Sequence, residues 1–345
     1  MILKALSEAT GVSGNEKAVQ AIVVDAIRDH VDEIEIDAMG SVLVTKRGTG
    51  AINLRVMLDA HIDEIGLMIV GHESDGYLKF RPVGGIDARL LPGALVQVGD
   101  DRIPGVIGLK PVHLLKPGEG EKVAKIDALA IDIGAQSDEE AKGLAPVGTY
   151  ATFKTEYREF GPTVTGKAFD DRVGCAVLIE LLRGEPQPFD LVASFSTQEE
   201  IGLRGAQVAA YRLEPDCAFG LEGTIADDIP KEKDVSPTTT LGQGPALTVM
   251  DRSFIADRRL LKLLVDTAEA LDIPHQFKQP GIGGTDAGAI HKTRAGVPAA
   301  TVSVPCRYIH SPVAMMNLND FDNTVRLMRE SLARLTERTL ERERK

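Results

Sequence analysis

Residues 190–206, DLVASFSTQEEIGLRGA, place two adjacent glutamates, Glu199 and Glu200, directly after an apolar run. The run at 190–195 predicts a buried strand, and the segment 202–213 predicts a helix. A strand that feeds a helix is half of the repeating unit of an α/β protein. Because charged groups are costly to bury, two neighbouring carboxylates at the end of such a strand need a partner or a function.

The same alternation of strand-like and helix-like segments recurs outside this stretch. NLRVMLDAHIDEIG at 53–66 begins as a buried strand, and AATVSVP at 299–305 has the same apolar character. A long amphipathic pattern predicts a final helix over 319–345. Strands that alternate with helices favour an α/β fold with a mostly parallel sheet flanked by helices on both faces.

Residues 67–160 have a different character. Short strand-like runs are separated there by Gly, Pro and Asp, and the only helical pattern is at 137–144. This composition is typical of a small β-barrel or sandwich. We therefore predict a catalytic domain in two parts, 1–66 and 161–345, interrupted by a β insertion at 67–160.

The composition narrows the classes of function. The chain has 345 residues, 43% of them hydrophobic, and a formal net charge of −12. This acidic excess argues against nucleic-acid binding, which usually shows a basic excess. No apolar run approaches the ~18 residues of a membrane span, and Glu8 interrupts any apolar segment at the N-terminus. We expect no membrane partner and a cytoplasmic location.

Five segments carry residues that are able to bind metal ions, each at the end of a strand-like run. In an open α/β sheet such positions gather at the carboxyl edge. His and carboxylate ligands without Cys are typical of a catalytic zinc site, and a carboxylate can bridge two divalent ions ~3.5–4 Å apart. Each residue alone also has an ordinary interpretation, such as a surface histidine or a helix N-cap. The residues are His61, Asp63, Glu64, Asp170, Asp171, Glu199, Glu200, Glu222 and His310.

The two neighbouring glutamates can serve different purposes. Successive side chains of an extended segment point in opposite directions. One glutamate can therefore bind a metal ion while the other accepts a proton from water. The spacing alone leaves open which of Glu199 and Glu200 does which.

Six motifs in order, AHIDE, AFDDRVG, STQEEIGLRGA, GLEGT, GGTDAG and PCRYIHSP, resemble the co-catalytic metallo-aminopeptidases of the tetrahedral (TET) type. This family includes glutamyl and deblocking aminopeptidases and proteins labelled endoglucanase M. The resemblance extends over nearly the whole chain. It implies a zinc-peptidase-like catalytic domain and an inserted β domain that forms dimers, which assemble into a hollow dodecamer.

The resemblance also implies a role for individual residues. Asp170 would bridge two ions, Glu199 would be the general base, and Asp63 would orient His61. Asp286 in GGTDAG would lie near the substrate, with a helix N-cap as the alternative. The Asp170–Asp171 peptide would be cis. The metal ligands would be His61, Asp170 and Glu222 for one ion, and Asp170, Glu200 and His310 for the other.

The expected activity is the removal of N-terminal residues from peptides that have a free amine. Two divalent ions per subunit would be required, with zinc or cobalt favoured and manganese also compatible with the ligands. A related co-catalytic carboxypeptidase or N-deacylase is the first alternative. A glycosidase is disfavoured because the chain has no Trp and 4% aromatic residues. A non-catalytic assembly protein would have lost a ligand or the base, and here every position is filled.

Overall fold

The computed structural model describes residues 2–118, 122–230 and 238–341. The strands are β1 (Glu33–Ile36), β2 (Val42–Lys46), β3 (Arg55–His61), β4 (Gly66–His72), β5 (Leu78–Val83), β6 (Leu95–Val98), β7 (Ile103–Gly108), β8 (Ala130–Asp132), β9 (Tyr150–Phe153), β10 (Arg158–Phe160), β11 (Thr163–Gly166), β12 (Asp190–Ser196), β13 (Cys217–Ile225), β14 (Ala246–Leu247), β15 (Gln276–Phe277), β16 (Ala299–Arg307) and β17 (Ala314–Asn317).

The helices are α1 (Ile2–Glu8), α2 (Lys17–Ile27), α3 (Asp138–Leu144), α4 (Phe169–Leu182), α5 (Arg204–Leu213), α6 (Arg258–Ala270), α7 (Ala287–Ile290), α8 (Leu318–Arg334) and α9 (Glu337–Leu340). Short 3-10 turns lie at Ala88–Leu90, Val112–Leu114 and Ile126–Ala128. Of the described helices, none is long and apolar enough to cross a membrane.

A large mixed sheet has the strand order β1-β2-β12-β3-β13-β16-β17-β11-β10, and β14 and β15 extend from β16. Its central strands β12, β3, β13 and β16 are parallel and almost wholly buried. The prediction of a mostly parallel sheet is right for this centre and wrong at the edges. There the strands are antiparallel, because short connections such as the one between β10 and β11 return the chain directly.

Helices cover both faces of this sheet. The apolar sides of α1, α2, α4, α6 and α8 share one core with the strands, and α5 and α7 pack on the opposite face. The predicted final helix is interrupted after α8. Leu335 is extended and 1% exposed, and Thr336 then caps α9 through a reciprocal contact with Thr339. Residues 342–345 of that prediction lie outside the described residues.

The inserted β segment forms a closed barrel in the order β4-β5-β8-β7-β6-β9, with its own apolar core. Its strands run from Gly66 to Phe153. β10, which lies within the predicted insertion at 67–160, instead pairs with β11 in the large sheet. The division of the chain into domains at residues 66 and 160 stays a prediction.

Candidate metal centre

The register of two parallel strands brings His61 close to the paired glutamates. His61 is the last residue of β3 and lies opposite Ser196, the last residue of β12. Glu199 and Glu200 follow three and four residues after Ser196, in the turn before α5. His61 Nε2 lies 4.0 Å from Glu199 Oε2.

Glu222 reaches the same place from within a strand. Gly220 of β13 lies opposite Asp59 of β3, so two residues further along both strands Glu222 is level with His61. Its Oε2 is 3.8 Å from His61 Nε2. The expectation that each candidate follows a strand therefore needs correction here, since Glu222 lies inside β13.

Asp170 lies between two histidines at the start of α4. Its Oδ1 is 3.3 Å from His61 Nε2, and its Oδ2 is 3.4 Å from His310 Nε2. In the first turn of α4, Asp170 and Asp171 have non-helical backbone angles, and the peptide between them is cis, as the resemblance implied. One carboxylate therefore faces an imidazole on each side.

His310 follows β16 and completes the second side of the cluster. Its Nε2 is 3.5 Å from Glu200 Oε2 as well as close to Asp170. Its Nδ1 is 2.9 Å from the carbonyl oxygen of Gly85, which lies in the loop after barrel strand β5. Because a carbonyl oxygen only accepts, Nδ1 carries a hydrogen, and Nε2 is the nitrogen available to bind a cation.

Asp63 orients His61 in a similar way. His61 Nδ1 lies 3.2 Å from the carbonyl oxygen of Asp63 and 3.4 Å from its Oδ1, and both are acceptors. Nε2, which faces Asp170, is therefore the nitrogen of His61 available to bind a cation. Asp63 also accepts hydrogen bonds from the backbone N–H groups of Glu199 at 3.0 Å and Glu200 at 3.2 Å.

The buried carboxyls repel one another in the absence of cations. Burial, opposed by His61 and reinforced by neighbouring carboxylates, raises the pKa of Glu199 to about 8. Burial also raises the pKa of Glu200 and Glu222 well above the usual range. Divalent cations favour the ionised forms, so this set of donors fits metal ions better than protons.

The histidines and Asp170, in contrast, favour their charged forms. Burial alone would lower the pKa of His310, but Asp170 and Glu200 outweigh it and raise the pKa to about 10. Burial likewise opposes the charged form of Asp170, yet His310 and His61 hold its pKa below the usual range. Asp170 is thus the most readily ionised acid of the cluster, as a bridging ligand requires.

Three overlapping groups of donor atoms lie within 4.8 Å of one another: Asp170, Glu200 and His310; His61, Asp171 and Glu222; and His61, Glu199 and Glu200. The first is the set that the resemblance implied for one ion. The second contains Asp171 where the resemblance implied Asp170. Asp171 is fully buried and accepts hydrogen bonds from the N–H groups of His61 at 3.1 Å and Gly174 at 2.9 Å.

The cluster opens into a pocket of about 510 Å³. Asp170 and Glu199 lie at its base with side chains 14% exposed, and His310 is 41% exposed. The other pocket residues are Gly85, Glu200, Glu222, Gly223, Thr224, Ile225, Lys278, Gly283, Gly284, Thr285, Tyr308 and Ile309.

Residues 40–327 match the family described as M42 glutamyl aminopeptidase. The chain belongs to this family. It is 33% identical to the lysyl aminopeptidase of Pyrococcus furiosus over 344 residues, which cover 97% of this chain and 96% of that protein. This M42 peptidase is thus a hydrolase that acts on peptides, and the resemblance drawn from the motifs is confirmed.

Solved structures of similar proteins agree. The TET aminopeptidase from a marine sediment archaeon of the Thaumarchaeota is 38% identical with a TM-score of 0.94, covering 98% of this chain and 97% of that one. The TET1 peptidase of Pyrococcus horikoshii is 35% identical with a TM-score of 0.86, covering 97% and 99%. The latter can assemble into a tetrahedron or a large octahedral shell.

Asp286, the predicted substrate-binding residue, is buried next to residues that line the pocket. Its neighbours Gly284 and Thr285 line the pocket, whereas Asp286 is 1% exposed and accepts a hydrogen bond from Ser196 Oγ at 2.7 Å. It is at the N-cap of α7, without a cap hydrogen bond from its side chain. Its N–H donates to Glu222 Oε1 at 3.3 Å, so direct contact with substrate stays a prediction.

Sequence reasoning missed two buried residues close to the cluster. Asp59 lies within the apolar run of β3 and accepts hydrogen bonds from Ser194 and Ser196 of β12. Lys278 lines the pocket and is 4% exposed. An acid among apolar residues of a strand was the available signal for Asp59, while nothing in the spacing of HQFKQ pointed to Lys278.

Proposed function

We propose that this M42 peptidase removes N-terminal residues from peptides, using two divalent metal ions and Glu199 as the general base. The observation that carries the proposal is the placement of Asp170 between two histidines, 3.3 Å from His61 and 3.4 Å from His310. One carboxylate with an imidazole on each side suits a bridged pair of ions.

The proposed ligands follow from the contacts of the cluster. His61, Asp170 and Glu222 would hold one ion, and Asp170, Glu200 and His310 the other. Asp63 and the Gly85 carbonyl would fix the two imidazoles, as partners of metal-bound histidines commonly do. When bound, the ions would lower the pKa of a water molecule and polarise the scissile carbonyl.

The position of Glu199 suits a general base. It lines the pocket, and its backbone is fixed by Asp63. Its carboxylate would accept a proton from the attacking water and donate it to the leaving amine. Glu200, the neighbouring residue, lies 3.5 Å from His310 instead, which supports its assignment as a metal ligand.

Replacement of Glu199 tests this assignment. In Glu199→Gln the amide cannot accept the proton, and we expect kcat on an aminoacyl anilide to fall by about 100- to 10,000-fold. Mass spectrometry should still find two metal ions per chain. Glu269→Gln, at an exposed position of α6, is the matched control. Normal turnover by a variant that holds both ions would refute the base assignment.

Metal content and the choice of substrate test the remainder of the proposal. A chelator should abolish hydrolysis, and zinc or cobalt, and also manganese, should restore it. Peptides with a free amine should be cleaved and their N-acetyl forms should not. Cleavage of the N-acyl peptides, or release of residues from the C-terminus, would favour the N-deacylase or carboxypeptidase alternative.

We also propose that the chain forms a closed homo-oligomer, with barrel dimers assembling into a dodecamer. Large apolar side chains are exposed on the inserted segment, including Leu95 at 53%, Leu114 at 66% and Val123 at 57%. Exposed apolar surface is typical of protein–protein contacts. Sedimentation velocity should give a particle of about twelve chains, and a stable monomer would refute the assembly. A cytoplasmic location stays a prediction.

The family leaves the preferred N-terminal residue open. Its description names a glutamyl aminopeptidase, whereas the relative from Pyrococcus furiosus is a lysyl aminopeptidase. The residues that line the pocket of this chain must therefore determine which N-terminal residue is preferred.

A further inference from the structure

Lys278 is a buried cation in the pocket that holds the proposed metal ligands. It directly follows β15, and its backbone N–H donates to the Leu247 carbonyl at 3.0 Å. Its side chain lines the pocket, although the residue is only 4% exposed. The position of its backbone is thus fixed by the sheet, and its ammonium group belongs to the pocket wall.

The surroundings of Lys278 differ from those of the other buried lysines. Lys46 donates to the carbonyl oxygens of Leu182 and Gly184, and Lys167 donates to both oxygens of Glu64. For Lys278, in contrast, no side-chain hydrogen bond or ion pair is formed with any residue in 2–118, 122–230 or 238–341. A buried charge is normally paired, so this site favours an anion from outside the chain.

The pocket leaves room for such an anion beside the ammonium group. Gly283 and Gly284 form the neighbouring wall, and a Cβ atom at Gly283 would lie 3.6 Å from Lys278 Nζ. The carboxylates that line the pocket are each assigned to metal binding or to proton transfer. Lys278 is the charged residue of the pocket lining that has no role in the proposed mechanism.

We propose that Lys278 binds the side-chain carboxylate of the substrate's N-terminal residue, so that the enzyme prefers peptides that begin with Glu or Asp. This inference rests on the proposed aminopeptidase function. An acidic side chain would form a charge-assisted hydrogen bond with Nζ. A lysyl or arginyl side chain would bring a like charge to the same place and would be rejected.

Selectivity between substrates provides the test. Glutamyl, leucyl and lysyl anilides are compared on the same preparation of metal-loaded enzyme, so that differences in metal content cancel. We expect the wild type to favour the glutamyl over the leucyl anilide, and Lys278→Met to lower this ratio of kcat/KM by about 10- to 100-fold. Lys278→Arg should keep the acidic preference, and Lys278→Glu should shift it towards the lysyl anilide.

A matched control and a binding measurement separate the possible outcomes. Lys262→Met, at an exposed lysine of α6, should leave the ratio unchanged. Calorimetry with free L-glutamate and L-leucine measures recognition without turnover, and Lys278→Met should lose affinity for L-glutamate only. If no anilide is cleaved while this binding difference remains, the proposed function fails and the assignment of Lys278 stands.

Three results would overturn the assignment of Lys278. A wild type that favours the leucyl or lysyl anilide excludes an acidic preference. If Lys278→Met lowers kcat/KM equally for all three anilides, Lys278 has a structural role only. If Lys278→Met lowers kcat/KM for dipeptides but not for the glutamyl anilide, Lys278 binds the C-terminal carboxylate of the peptide, which the anilide lacks.

Discussion

At the scale of single residues, Asp63 connects the two halves of the metal centre. It lies 3.4 Å from His61 Nδ1 on β3, and its oxygens accept the N–H groups of Glu199 and Glu200 after β12. Ser13 Oγ donates to it at 2.6 Å. Burial opposes the charge, but these donors hold the pKa of Asp63 below its usual range. Asp63 thus positions a ligand and the proposed base together.

Asp63→Asn should loosen this arrangement without changing its volume. The amide has one accepting oxygen, and its NH₂ group faces donors, so at least one hydrogen bond is lost. We expect about 10- to 100-fold weaker metal binding and a comparable loss in kcat/KM. Titration against a chelating dye measures the affinity, and Asp322→Asn on the exposed side of α8 is the control. Unchanged metal affinity would contradict the positioning role.

The residues of the cluster that follow apolar, strand-like runs could be predicted, because such runs show where a strand ends. His61, Glu200 and His310 come together since the carboxyl ends of parallel strands share an edge. Asp171 and Lys278 could not be assigned in the same way. Their surroundings depend on which distant segments pack around them, and no local spacing encodes that packing.

At the scale of secondary structure elements, a buried ionic network fixes the segment that carries Asp170. Glu64 Oε1 lies 2.7 Å from Lys167 Nζ and 3.2 Å from Arg172 Nη2. The same oxygen accepts the N–H of Gly11 at 3.0 Å, in the connection between α1 and α2. The residues on either side of Asp170 are therefore tied to the end of β3 and to the N-terminal helices.

Glu64→Gln should destabilise the fold as a whole. The amide cannot neutralise the two cations, which would remain buried and uncompensated. Loss of one partner from a buried ion pair typically costs about 3–5 kcal/mol. Urea unfolding followed by circular dichroism measures the change, with Glu139→Gln at an exposed position of α3 as the control. A loss below about 1 kcal/mol would show that the network adds little stability.

The sequence predicted the central strands better than the edge strands and the last helix. The buried central strands were clear, because their apolar runs are long and end in polar residues. The antiparallel edges were not, because strand direction depends on connections rather than on the strands. The interruption of the last helix at Leu335 was also missed, because the amphipathic pattern continues through α9. In the structure Leu335 is buried and its backbone is extended, which ends α8.

At the scale of the whole molecule, the barrel and the large sheet meet at the metal centre. The loop after β5 supplies the Gly85 carbonyl that holds His310 Nδ1 at 2.9 Å. The preceding Gly84 has a φ of +82° and lies against Ile65 and Glu200. The inserted segment therefore positions a proposed metal ligand.

Gly84→Ala tests this coupling between the two units. A Cβ there would lie 2.9 Å from Ile65 Cγ2 and 3.3 Å from Glu200 Cβ, so the loop must move away from the cluster. Gly93→Ala is the matched control, because Gly93 has a φ of +81° and an added Cβ would meet no atom within 4 Å. Both substitutions place an alanine in the left-handed backbone conformation, which costs about 1–2 kcal/mol, so both should lower the melting temperature.

Only Gly84→Ala should disturb the site. We expect it to weaken binding of the ion assigned to His310 and Glu200, and to lower kcat/KM at least about 10-fold relative to Gly93→Ala. Metal titration and anilide hydrolysis on both variants measure these effects. Equal kcat/KM and equal metal affinity in the two variants would show that the barrel is joined to the catalytic sheet without shaping its metal centre.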